Sequence, residues 1–195
     1  MRTSLLLALL LCASPALAQT PPMPGPSAAP AAATVLSAKS GTITYHLVHK
    51  LHKFDGVCKQ PEGKVRILPS GKAQVMVRAK VESFDSGNSN RDSHMKETVE
   101  AARFPLVELK ATGDATPPAT FPATVERTFN ADVTFHGTTK NLDIPVQLTY
   151  ESATSIKAKA RLTLKVEDFK VERPSLMFVK IDNDMPVDVE LSFAP

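Results

Sequence analysis

The sequence predicts an all-β fold, a closed or strongly curled antiparallel sheet of about eight strands with one helix near a barrel end. Three observations predict it. From Ser155 to Glu167 the chain reads SIKAKARLTLKVE, in which Ile156, Ala158, Ala160, Leu162, Leu164 and Val166 alternate with charged or polar residues. That is a period of two, a strand with one dry and one wet face. Four further stretches repeat the pattern: Ala73 to Val81, Phe129 to Phe135, Ile144 to Tyr150 and Val187 to Phe193. Short turn signals separate the runs, at Pro69-Ser70-Gly71, Gly113-Asp114, His136-Gly137 and Asp182-Asn183-Asp184. Loops this short join antiparallel neighbours, and closing such a sheet removes its exposed edges.

Taken in order, the N-terminal MRTSLLLALLLCASPALAQ has one cation at Arg2, an apolar run from Leu5 to Leu11, and small residues at Ala16 and Ala18. This is the layout of a secretory signal peptide over residues 1–18, cleaved after about Ala18, and it implies a periplasmic or secreted protein. The run is far shorter than the ~20 apolar residues of a membrane-spanning helix. Cys12 raises a lipoprotein reading, but Leu11 stands where a lipobox needs a small residue, so simple export is preferred. Residues 19–34, QTPPMPGPSAAPAAAT, form a Pro/Ala-rich flexible linker. Residues 35–195 then have the length of one domain with a single core.

The next segment, SGTITYHLVHKLHKFDGVC, sets His46, His49 and His52 at three-residue intervals, with Cys58 six places on. Read as one strand, it puts Ile43, Tyr45, Leu47, His49 and Leu51 on one face and His46 and His52 on the other. His46 and His52 would then be roughly 20 Å apart at about 3.3 Å per residue, too far to share an ion whose bonds are near 2 Å. With the leader removed Cys58 is the sole cysteine, so no intramolecular disulfide forms. It reads as a small inert residue beside a turn, the alternative being a reactive or dimer-forming thiol.

The one helix expected lies at about residues 89–99, within NSNRDSHMKETVEAARFP. Asn88, Ser89 or Asn90 can cap it, Asp92 sits in the first turn where the dipole favours an anion, and Pro105 ends it by Phe104. Met95, Val99 and Ala102 recur on one side, which suits a lid over a barrel end or a gate beside a cavity. Arg91 and Asp92, adjacent and so facing apart, each need a partner. Tying the helix to the barrel is preferred to contacting a ligand headgroup.

Function classes narrow by composition. A formal charge of +3 spread among intermixed Lys, Glu and Asp, without Trp, gives nucleic-acid binding no support. The chain has no G-x-S-x-G elbow, P-loop, H-E-x-x-H or dinucleotide glycine pattern, so an enzyme is not expected.

VESFDSGNSNRDSHMKETVEAARFPLVELKATG, residues 81–113, resembles the central signature of the YceI-like lipid-binding family. The matching positions are Asp85, Gly87, Asn88, Arg91, Asp92, His94, Met95, Lys96, Phe104 and Pro105. NADVTFHGTTKNLDIPVQLTY is similar to that family's hairpin with a His-Gly-x-Thr-Lys turn, and VEDFKVERPSL to its D-F-G-I-x-x-P segment, with Lys170 where glycine is common. His49 stands where the family often has histidine, and Gly56 at an expected bend.

The resemblance implies a lipocalin-like extended antiparallel barrel that carries or stores an isoprenoid lipid, such as a polyisoprenoid or quinone tail, without catalysis and with no other cofactor. Candidate cavity residues are Val77, Val81, Phe84, Met95, Val107 and Leu109, with Phe129, Val133, Phe135, Leu148, Leu162 and Leu164. The same residues would equally fill a ligand-free core. The isoprenoid lipid is the expected partner, with a transient membrane contact and a homodimer left open. Two alternatives stand beside this reading: an exported metal-binding protein using His46, His49, His52 and Cys58, and a stress-linked interaction module with no ligand.

Overall fold

In chain order the strands are β1 (Thr34–His49), β2 (His52–Cys58), β3 (Glu62–Ile67), β4 (Lys72–Lys80) and β5 (Phe84–Asp85). After helix α1 (Ser89–Thr98) come β6 (Leu106–Asp114), β7 (Ala123–Phe135), β8 (Thr138–Ser152), β9 (Ser155–Lys165), β10 (Ser175–Leu176), β11 (Val179–Lys180) and β12 (Asp184–Ala194). The structure, a computed structural model, describes residues 32–49, 52–176 and 179–195. The expected signal peptide, and the linker up to residue 31, lie outside the described residues, as do Lys50 and Leu51.

Hydrogen-bonded neighbours run β12, β9, β8, β7, β6, β4, β3, β1, all antiparallel, and β12 pairs back onto β1 from Ser37↔Ala194 to Tyr45↔Val187. This closes an eight-stranded barrel with no free edge in its main wall. β2 and β3 share one edge of β1: β3 takes Thr34–Ser37 and β2 takes Ile43–His49. The inward faces form a single hydrophobic core whose fully buried members include Leu36, Cys58, Tyr150 and Phe169.

Strand parity holds where it was read, with Ile144, Leu148 and Tyr150 buried and their alternates exposed or half-exposed. In β1 parity switches. Leu36 and Tyr45, an even and an odd position, are both buried, because the β1–β12 register shifts between Ala38 and Ser40. A bulge of this kind turns the strand's faces over by one residue.

Several local expectations are corrected. The histidine segment is not one strand, since β1 ends at His49 and returns as β2 with His49↔His52 in register. Gly56 is not at a bend but within β2 opposite Tyr45, and a Cβ there would run into the Tyr45 ring. Gly113 and Asp114 belong to β6 rather than to a turn. A Cβ on Gly113 would meet the Phe129 ring, so the glycine serves packing. The strand through Glu167 stops at Lys165, and Val166–Phe169 form a 3-10 turn. Lys170 follows it at φ +60°, the left-handed conformation that explains why glycine suits this position. Helix α1 ends at Thr98 and Glu100 takes φ +47°, which breaks the helical period. Ala102 is therefore exposed, and Ala101 packs on the core in its place.

Candidate functional site

The barrel interior contains two chambers. The lower has a volume of about 150 Å³ and is walled by inward residues of the sheet. Val77, Phe84, Val107 and Leu109, with Phe129, Val133, Leu148, Leu162 and Leu164, all line it. Every residue of its wall is apolar except Glu108, whose carboxylate turns outward to Arg78 Nε at 2.6 Å.

The upper chamber, about 220 Å³, receives the other three predicted residues, Val81, Met95 and Phe135. Ile43, Phe84, Val107, Leu164 and Val187 line both chambers and form a waist between them. Here the wall is composite. α1 supplies Arg91, His94, Met95 and Thr98, its C-cap Val99 follows, β2 supplies Phe54, and the stretch before β12 supplies Val171, Pro174 and Ile181. Tyr45 adds a phenol whose ring lies 5.5 Å from that of Phe84. Burial, reinforced by the nearby Asp92 carboxylate, pushes the Tyr45 pKa up to about 12, so the phenol stays neutral.

α1 is held over this chamber by the loop that precedes it. Asp85 Oδ1 accepts from Gly87 N at 2.7 Å, which fixes the turn, and Asn88 Oδ1 accepts from Asn90 N and Arg91 N, both at 3.1 Å, which caps the helix. Arg91 and Asp92 do not bond to each other. Both reach Ser86: Arg91 Nε donates to its Oγ at 2.8 Å and an Arg91 terminal nitrogen to its carbonyl at 2.6 Å. Asp92 Oδ1 accepts from Ser86 N at 3.1 Å and from Ser86 Oγ. The guanidinium also lies over the Phe54 ring, 5.0 Å from its centroid, so Arg91 pins β2 to the helix as well.

Of the histidine–cysteine segment, His46 and Cys58 do not meet. His46 faces outward, with Nδ1 2.7 Å from Asp55 Oδ1 and Nε2 3.0 Å from Asp188 Oδ2. Cys58 is fully buried in the core, its sulfur accepting from Ser83 Oγ at 3.1 Å. Among the described residues no group of three or more His, Cys, Asp or Glu side chains is arranged to hold a metal ion. His94 is exposed beside Glu97, and His136 donates from Nδ1 to the Phe169 carbonyl at 3.0 Å.

The sequence reading named twelve cavity candidates, and in this structure each lies on a chamber wall. It missed Phe54, because β2 was read as the continuation of β1, and Ser86, whose role depends on how the loop folds back on α1. The SFDSGN stretch carried a signal for Ser86, since a serine inside an Asx-type turn is well placed to bond a helix start.

A family model described as a YceI-like domain matches residues 34–193. No curated protein matches the chain. Among solved structures, a polyisoprenoid binding domain from Saccharophagus degradans, implicated in plant cell wall breakdown, aligns with a TM-score of 0.69 at 20% identity, over 82% of this chain and 98% of that one. BcnA of Burkholderia cenocepacia aligns at 0.61 and 16% identity, over 78% and 95%. The Campylobacter jejuni YCEI protein aligns at 0.52 and 15%, over 76% and 86%. At these identities the likeness is one of fold.

Proposed function

From the chain's membership of the YceI-like domain family, we propose that it is a non-catalytic carrier or store of an isoprenoid lipid held along the barrel axis. The observation that carries the reading is the pair of adjacent chambers that share an apolar lining, the lower one walled by apolar side chains apart from Glu108. Such a space holds a flexible hydrocarbon by burial alone, at about 0.8 kcal/mol per methylene before ordering costs are subtracted. The polyisoprenoid binding named for the Saccharophagus degradans domain supports the choice of lipid.

Native mass spectrometry of gently purified protein, followed by organic extraction, tests the reading. A bound mass that extracts as an isoprenoid is expected, and barrels that remain empty when supplied with a prenyl alcohol overturn it. We further propose export to the periplasm or beyond, from the signal-peptide layout of residues 1–18. A mature N-terminus near Gln19 is expected, and a full-length chain recovered from the cytoplasm overturns it.

A further inference from the structure

We propose that His46, Asp55 and Asp188 form a proton-operated clasp that holds β2 against the barrel wall and sets how fast the upper chamber exchanges its contents, a role that rests on the ligand-binding reading above. The geometry is specific. Both ring nitrogens of His46 stand within hydrogen-bonding distance of carboxylate oxygens, 2.7 Å to Asp55 on β2 and 3.0 Å to Asp188 on β12. An ionised carboxylate only accepts, so both contacts are satisfied only when both nitrogens carry a proton. Loss of one proton leaves a lone pair facing an anion, and the staple across β2, β1 and β12 loses one of its two arms.

The surroundings agree. Asp188 also receives Arg161 Nε of β9 at 3.5 Å, a fixed cation that steadies that carboxylate without titrating. Lys53 shares the outer face of β2, and Glu190 of β12 is engaged by Lys159 at 3.0 Å. The hydrogen bond to Asp55 is the largest influence on the imidazole and raises its pKa above 6.5, burial opposes it, and Asp188 adds to the rise. For a group raised in the folded state, the stabilisation is complete below the unfolded value of about 6.5 and disappears as pH rises through the folded one. The clasp has both arms below about pH 6.5 and loses one as pH rises through the raised value.

β2 is the element this would move. Its pairing with β5 covers only Val57 and Cys58, so Lys53–Gly56 hang from β1 along one edge. A segment bonded on one side opens before the closed wall does. Phe54, next to Asp55, lines the upper chamber and carries Arg91 of α1 on its ring, so a shift of β2 reaches both the chamber and its helix.

Hydrogen exchange of the mature chain between about pH 6 and pH 9, read by mass spectrometry and corrected for intrinsic rates, tests the clasp without any ligand. Protection across His52–Cys58 should fall about tenfold relative to β7 and β8 as pH rises. His46→Gln and, independently, the exposed Asp55→Asn should remove that pH dependence. Protection of β2 that follows β7 and β8 at every pH, or an unchanged pH dependence in both variants, overturns the clasp. In parallel, release of the apolar fluorophore N-phenylnaphthylamine should quicken with pH in the unsubstituted protein alone. Failure of the probe to bind at any pH counts against the cavity reading, whereas binding with pH-independent release counts against the clasp's control of exchange.

Discussion

The lower and upper chambers are neighbours along one axis, yet they are built from different parts. The lower one is walled, apart from Phe84 of β5 and Ala115, by strands of the closed barrel, each bonded on both edges. The upper one adds to the ends of those strands a ten-residue helix, a strand paired mainly on one side and a 3-10 turn. Cooperative sheet pairing makes the first a rigid sleeve. The second depends on side chains, Ser86 with Arg91 and Asp92 and His46 with its two carboxylates, which break one at a time. The two ends of a single cavity can therefore differ in stability, with a fixed end and an adjustable one.

The largest test truncates the sleeve. Phe129→Ala removes a ring that is 5% exposed and lies over Gly113, and should destabilise the whole barrel by about 3–5 kcal/mol in denaturant titration. A local effect that spares the cooperative transition would break the distinction. Ser86→Ala comes next. It removes the hydroxyl shared by Arg91 and Asp92 and should cost about 1–3 kcal/mol, read as lost exchange protection in α1 with the barrel strands unchanged. If β7 and β8 lose protection equally, the upper end is not a separate unit. Smallest, and opposite in sign, Lys170→Gly relieves a left-handed residue at φ +60° and should raise stability by about 1 kcal/mol, seen as a higher Tm.

How much of this was legible in the sequence follows the same division. The sleeve could be read because Ile156 to Leu164, or Ile144 to Tyr150, obey a period that strand geometry imposes residue by residue. The upper end follows no such period. Phe54 and Asp188 act through contacts with segments distant in the chain, which nothing local in the sequence encodes, and Ser86 was signalled only by the turn around it. The bulge after Ala38 was hidden for a related reason, since it exists only as a mismatch between β1 and β12. Ala102 was misplaced because helical spacing was extended past Glu100, whose left-handed backbone is invisible in a hydrophobic pattern. The histidines misled because a hairpin and a long strand share the same alternation until the reversal is seen.

The β1–β12 seam also bears on the order of assembly. Every other adjacent pair in the eight-stranded wall joins successive strands of the barrel circuit, but this seam joins Ser37–Tyr45 to Val187–Ala194, the first strand to the last. Its loop is the longest that the domain can close, so its entropic cost is met last and its contacts weigh most on the folding rate. Until β12 emerges, β1 and β9 both present open edges, and a chain cut short before Asp184 would keep them for good, as an open sheet with sticky sides rather than a smaller barrel.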